Sequence, residues 1–245
     1  MKILVVSDHE EKRLYEHFDH ERWVGKVDMA ISCGDLHPDY LSYLVTVLRV
    51  PLLYVHGNHD TRYTTTPPDG CDRIDGRLVH VSGLRVAGIG GSPQYNAGSE
   101  EFQYSDRQMR WRARRLSATI WQAGGAEIIV SHAAPIRCSV QLRVPHEPAG
   151  TGRPCIRPDL EGHPEFCPEA TDTAHRSTAA FNGLIGRWKP RYWFHGHNHI
   201  EYGRVSRLWW LGRTQVINAD GHVVIDTEQP IDPDRGSMVA GVFPI

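Results

Sequence analysis

Val55-His56-Gly57-Asn58-His59-Asp60 comes straight off a short apolar run, Pro51 to Val55, which reads as a buried strand. Gly57 then lets the backbone turn sharply, so three polar side chains follow in consecutive positions at the strand end. In an open α/β sheet the carboxyl ends of the strands are where ligands bind. An amide, an imidazole and a carboxylate in a row make a poor turn and a good site. Asn58 is read as a metal ligand, His59 as a proton donor and Asp60 as the group that orients His59.

The same plan recurs on both sides of this stretch. Lys2 to Ser7 is an apolar strand that ends in Asp8-His9-Glu10, and Val27 to Ser32 is another that ends in Cys33-Gly34-Asp35. Asp8 and Asp35 are 27 residues apart, and Asp35 and Asn58 are 23 apart. Each interval accommodates one crossover helix between parallel strands. The first intervening stretch, 11 to 23, begins as a helix. The second is a helix over Tyr40 to Leu48, opened by Pro38-Asp39. Downstream, Arg77 to Val81 and Leu84 to Ile89 form a hairpin around Ser82-Gly83, followed by a glycine loop, Gly88 to Ser92, and Tyr95-Asn96. Met109, Ala113, Leu116 and Ile120 mark one face of an amphipathic helix that starts near Ser105 and ends at Gly124-Gly125. Glu127 to Val130 is a strand ending in Ser131-His132, and Arg191 to Phe194 is a strand ending in His195-Gly196-His197-Asn198-His199. Two histidines at i and i+2 off a strand end can face one way. A helix runs from about Thr173 to Trp188, and short strands are expected at Glu201 to Val205, Gln215 to Asn218 and His222 to Ile225. Residues 137 to 170 carry six prolines and three cysteines with little periodicity, the mark of a long irregular insertion.

Composition sets limits. An apolar fraction of 40% is enough for a substantial core, and 245 residues without an internal linker read as one domain, 1–245. A net charge of -2 offers no basic field, which argues against nucleic acid and against an anionic membrane. Five cysteines, with no CxxC spacing, point to a reducing compartment. The apolar run at Ile3 to Val6 is too short for a signal segment or a membrane span. The expectation is a cytoplasmic protein. Fifteen histidines, several beside Gly, Asp or Asn, are a compositional hint of metal.

Taken singly, a Gly-Asp pair is a turn and an Asn-His-Asp run is loop polarity. Five such pieces, each closing an apolar strand, resemble the calcineurin-like metallophosphoesterase superfamily. Its blocks Asp-x-His, Gly-Asp, Gly-Asn-His-Asp/Glu, a lone His and Gly-His-x-His fall on Asp8, Gly34-Asp35, Gly57 to Asp60, His132 and Gly196 to His199, in the expected order. Residues 89 to 115 also look like a bacterial branch of that family. The resemblance implies a four-layer α-β-β-α sandwich of two mixed sheets, with the site at the strand ends. It implies two divalent ions, manganese foremost, with iron, zinc, nickel or magnesium as alternatives. One ion would be held by Asp8, Asp35 and His199, the other by Asn58, His132 and His197, with Asp35 bridging. A water shared by the ions would attack a phosphate mono- or diester in line, and His59 would protonate the leaving oxygen.

One block departs from the pattern: Glu10 stands where the family has His. Glu10 either replaces the imidazole with an oxygen ligand, favouring Mn or Mg, or turns to solvent and weakens the first site. His9 should face the other way by strand alternation. The alternatives to a hydrolase of a small phosphorylated substrate are a non-catalytic scaffold with a degraded metal site and a nuclease. Asn96 is a candidate substrate contact, with a turn-forming Asn as the plain alternative. The arginines at 107, 110, 112, 114 and 115 read as a solvated helix face. His56 and His195 read as packing residues behind the site, and His175 and Arg176 as the start of a helix capped by Thr171 or Asp172. Cys138, Cys155, Cys167, His146 and His163 match no standard zinc spacing, and the insertion is read as a rim over the pocket.

Overall fold

The computed structural model describes residues 1–95, 101–136, 175–200 and 207–228, together with the backbone of Val242–Phe243. Asn96, the insertion at 137–170 with its cysteines and histidines, and the expected strand at Glu201 to Val205 lie outside the described residues.

Two six-stranded sheets organise the described chain. In the first, β1 (Lys2–Ser7), β2 (Met29–Ser32), β3 (Leu52–Tyr54) and β4 (Asp72–Arg73) run parallel. Two antiparallel strands, β13 (Gly221–Asp226) and β14 (Val242–Phe243), extend it beyond β1. The second sheet has β6 (Leu84–Ile89), β9 (Ile128–Ser131), β10 (Tyr192–His195) and β12 (Thr214–Asn218) in parallel. Its edges are the antiparallel strands β5 (Leu78–Val81) and β11 (Leu208–Leu211). A small parallel pair, β7 (Ser92–Pro93) and β8 (Gln103–Tyr104), follows the glycine loop.

Strand alternation decides which side chains meet. Ile3, Val5, Met29 and Ile31 of the first sheet pack against Val86, Ile128, Val130, Phe194 and Ile217 of the second, which makes the core between the sheets. Leu4, Val6, Ala30, Leu52 and Tyr54 point the other way. They meet Tyr40, Leu41, Leu44 and Leu48 of the helix Pro38–Leu48. On the far side of the second sheet, Ala87, Ile89, Ile129, Trp193 and Val216 meet two helices, Asp106–Gln122 and Ala179–Trp188. The result is the expected α-β-β-α sandwich. Met109, Ala113, Leu116 and Ile120 are all buried, as the 3.6-residue period requires.

Several boundaries differ from expectation, each for a local reason. The segment after β1 forms only a 3-10 turn, Lys12–Leu14, and a four-residue helix, His20–Trp23, which Asp19 caps. The helix at Pro38–Leu48 is capped by the His37 imidazole, which accepts from the Asp39 N–H, and Pro38 takes the first helical position, where its missing N–H costs nothing. The last helix starts at Ala179 with Thr178 as its cap. His175 and Arg176 therefore precede it rather than forming its first turn. The first sheet gains β4 and β14 and the second gains β11, beyond the strands that the sequence pattern predicts. Leu208–Leu211 is a half-exposed edge with no alternation to betray it. Among the described residues no helix is long and apolar enough to cross a membrane.

Candidate metal centre

The strand ends of both sheets open onto one place. Asp8 follows β1, Asp35 follows β2, Asn58 follows β3, His132 follows β9, and His197 and His199 follow β10. Three of these residues leave their strands with left-handed backbone: Asp8 at φ 64°, Asp35 at φ 57° and His197 at φ 67°. Such conformations are uncommon for non-glycine residues and concentrate at functional sites.

Glycine lets the strand ends approach closely, within the first sheet at Gly57 and between the two sheets at Gly196. A Cβ at Gly57 would lie 2.0 Å from Asp35 Oδ1, and one at Gly196 would lie 2.4 Å from Asp8 Oδ2. Hydrogen bonds then cross the seam. The His197 N–H reaches both Asp8 carboxylate oxygens at 3.0 Å. His132 Nδ1 donates to the Cys33 carbonyl at 2.8 Å. With its Nδ1 so committed, His132 aims Nε2 at Asp35 Oδ2, 3.1 Å away, and at Asn58 Oδ1, 3.0 Å away. Donation from the remote ring nitrogen to a backbone carbonyl is how metal-binding imidazoles are oriented.

Asp35, His132 and His197 place one ligand atom each within 4.8 Å of one another. Their electrostatics are strongly coupled. Burial disfavours a charged His132, but the Asp35 carboxylate outweighs it and raises the imidazole to about 9. Burial likewise opposes a charged Asp35, and the His132 imidazolium reverses this and holds the carboxyl well below its usual range. His197 is driven well below its ordinary value by burial and then by the charge on His132, and its Nε2 is buried with no hydrogen-bond partner among the described residues. Loss of water raises the Asp8 carboxyl.

A second group lies alongside: His9, His199 and Asp220, again within 4.8 Å. The Asp220 side chain is only 4% exposed, and its Oδ1 is 2.7 Å from His9 Nδ1 and 3.7 Å from His199 Nδ1. The hydrogen bond to Asp220 raises the His199 imidazole against the effect of burial.

Among solved structures, the chain is similar to TT1561 of Thermus thermophilus at 15% identity, with 92% of this chain and 93% of that one covered and a TM-score of 0.56. The likeness extends to the fold: two mixed sheets packed face to face and flanked by helices. The chain is also similar to a predicted phosphoesterase from Streptococcus pneumoniae TIGR4, at 15% identity, coverage of 92% and 83%, and a TM-score of 0.37. Vps29 from Chaetomium thermophilum matches at 11% identity, coverage of 93% and 80%, and a TM-score of 0.39. No family model matches the chain, and no curated protein does.

The residues gathered at these strand ends suit a divalent cation. With the His132 Nδ1 proton given to the Cys33 carbonyl, Asp35 Oδ2 and Asn58 Oδ1 are two acceptors that both face His132 Nε2, an arrangement that needs either an extra proton or a cation. The orphaned His197 Nε2 beside them has no other use in the described structure. Carboxylate, amide and imidazole donors together suit first-row ions.

Other site residues sit differently from the sequence expectation. Glu10 is exposed and accepts from the His37 N–H at 3.3 Å, outside both groups. Asp60 does not hold the His59 ring. Its Oδ2 accepts from the backbone N–H groups of Gly57 at 2.7 Å and Asp35 at 2.8 Å, because the turn folds this carboxylate back onto its own loop. Burial and the nearby Asp35 push the Asp60 carboxyl up to about 7. His59 is exposed, and its N–H is bonded to Asp35 Oδ1 at 2.8 Å. The arginine-rich helix is a solvated face except at Arg112, which reaches Asp75 at 2.6 Å and lies over the Tyr104 ring. His56 and His195 are buried, as expected of packing residues.

Three further residues join the site without being predicted from sequence. Tyr95 accepts from Asn58 Nδ2 at 3.1 Å through its hydroxyl. His175 has its ring 5.2 Å from His197 and 5.1 Å from His199. Asp220 lies between His9 and His199. The Asn218-Ala219-Asp220-Gly221 stretch reads as an ordinary turn, and His175 is hidden within an apparent helical pattern. Tyr95, close behind the glycine loop, does carry a positional signal.

Proposed function

We propose that this chain is a metal-dependent hydrolase of phosphate esters. The observation that carries the reading is the convergence of the Asp35 and Asn58 oxygens on His132 Nε2, beside a His197 Nε2 with no hydrogen-bond partner among the described residues, where two sheets meet. Asp35, Asn58, His132 and His197 would hold a cation, with manganese the first choice and Fe, Zn, Ni and Mg as alternatives. Asp8 and His199 would help to hold a second. Such ions supply Lewis-acid polarisation of a phosphoryl group and acidify water.

The chain's own residues do the remaining work. The Asp60 carboxylate fixes the Gly57 and Asp35 backbone and so keeps the Asp35 side chain in place. Asn58 is held from behind by the Tyr95 hydroxyl. His59 has its backbone tied to Asp35 while its ring faces solvent at the rim. There it would give a proton to the leaving oxygen of a small phosphorylated substrate, a step typically worth about 10²–10⁴-fold. Phosphomonoesters and phosphodiesters both fit this chemistry.

A second reading, a scaffold that keeps the fold without turnover, draws on Glu10 facing solvent and on the Asp8 carboxylate already bonded to the His197 N–H. Hydrolysis of a chromogenic phosphomonoester and a bis-phosphoester with added Mn²⁺ separates the two. Turnover that His59→Ala lowers while bound metal is unchanged supports the hydrolase. No turnover of either ester by folded, metal-loaded chain supports the scaffold.

A further inference from the structure

We propose that the second of the two cations is held by His9, His199 and Asp220 beside the Asp35 group, with His9 supplying the imidazole that residue 10 does not. The donor set is two imidazoles and one carboxylate, which suits zinc and its first-row neighbours. Asp220 is built into position. Its N–H is bonded to Asn218 Oδ1 at 2.9 Å, its carbonyl accepts from Arg207 Nη2 at 3.1 Å, and its Oδ2 accepts from the Ile200 N–H at 2.6 Å. The other oxygen, Oδ1, is therefore the one that faces the two rings, 2.7 Å from His9 Nδ1 and 3.7 Å from His199 Nδ1. Donors held at roughly 2.0–2.2 Å around one tetrahedral ion sit about 3.4 Å apart. The two observed separations bracket that value, so a small rotation of two partly exposed rings completes the set. The His9 and His199 rings already meet edge to face with centroids 5.1 Å apart.

This arrangement also accounts for Glu10. Its carboxylate is engaged with the His37 N–H, away from both groups. A residue that is not a ligand there is free to vary, provided its neighbour supplies a donor. The inference concerns where an ion is held and does not require that the chain hydrolyse anything.

The test is stoichiometry. The full chain is titrated with Zn²⁺ by calorimetry, and bound metal is counted after desalting. The wild-type chain should take up two ions. His9→Gln should weaken one of them by at least about tenfold, the scale seen even when outer-sphere partners of a metal are removed, and leave the other unchanged. Glu10→Ala should keep both. His132→Gln should lose the other ion and retain the one His9 holds. His9 is partly exposed, so its variant keeps the fold even if Asp220→Asn does not. A single equivalent in the wild-type chain, or unchanged binding of both ions in His9→Gln, would overturn the proposal and leave Asp220 as a group that only orients His199. Loss of an ion in Glu10→Ala would overturn it as well. A failure confined to phosphoester turnover would count against the hydrolase and not against this site.

Discussion

Gly57→Ala tests the seam between strand ends most directly. The new methyl would lie 2.0 Å from Asp35 Oδ1, 2.5 Å from its Cγ and 2.8 Å from its backbone nitrogen. Carbon and oxygen do not pack closer than about 3 Å without strain, so the carboxylate must retreat by about 1 Å. That movement breaks the 2.8 Å bond from the His59 N–H and spoils the 3.1 Å approach to His132. Crowding of this kind costs about 1–3 kcal/mol of stability. The larger effect should fall on metal. Mn²⁺ at 100 times its Kd stabilises the folded state by about 2.7 kcal/mol. For a chain of 245 residues that is a rise in Tm of about 5–11 °C. A hundredfold loss of affinity leaves about 0.4 kcal/mol at the same concentration. Thermal melts with and without Mn²⁺ should therefore show a metal-induced rise in the wild-type chain and almost none in Gly57→Ala. Gly183→Ala, on a helix with open space at the Cβ position, is the control and should keep the full rise. A Gly57→Ala chain whose melting temperature rises with Mn²⁺ as the wild type's does would refute the claim that Asp35 is a ligand.

Other outcomes follow from the same geometry. Asp60→Ala strands the Gly57 and Asp35 N–H groups and should cost about 1–3 kcal/mol per unsatisfied donor, read by urea denaturation at neutral pH. His56 is buried with neither ring nitrogen hydrogen-bonded among the described residues, and burial lowers it to about 4 against the pull of Asp75. Above pH about 6.5 the residue is neutral in both folded and unfolded chains. As pH falls towards 4, the unfolded chain takes up a proton that the folded chain refuses, so about 2 kcal/mol of stability should be lost by pH 5. His56→Leu should flatten that acid slope in denaturation curves at pH 7.5 and 5, and an unchanged slope would show that His56 is not the group responsible. Asn58→Ala should weaken Mn²⁺ binding measured by calorimetry, whereas His59→Ala should leave it intact.

Much of the fold was legible because two hydrophobic patterns were clear. The unbroken apolar run Ile3 to Val6 marks a strand buried on both faces, and the stripe from Met109 to Ile120 names the face that packs on the second sheet. The strand ends were legible because polar residues follow apolar runs abruptly, as at Asp8, Asp35 and Asn58. What escaped had no such break. Leu208–Leu211 is an edge strand that is half-exposed on both faces. Asp220 and His175 join the site only through contacts made in three dimensions. The inward turn of Asp60 depends on a loop geometry that residue type does not encode. Strand alternation set His9 apart from the site, whereas it meets His199 and Asp220.

The bonds that cross between sheets give the site a mechanical meaning. Cys33 of the first sheet grips His132 of the second, and His197 of the second grips Asp8 of the first. A cation bound to Asp35 and His132 would act as a rivet through both plates of the sandwich. Loading it should then slow amide exchange along the inner strands on both sides together, and neither half of the polypeptide should chelate an ion when expressed without the other.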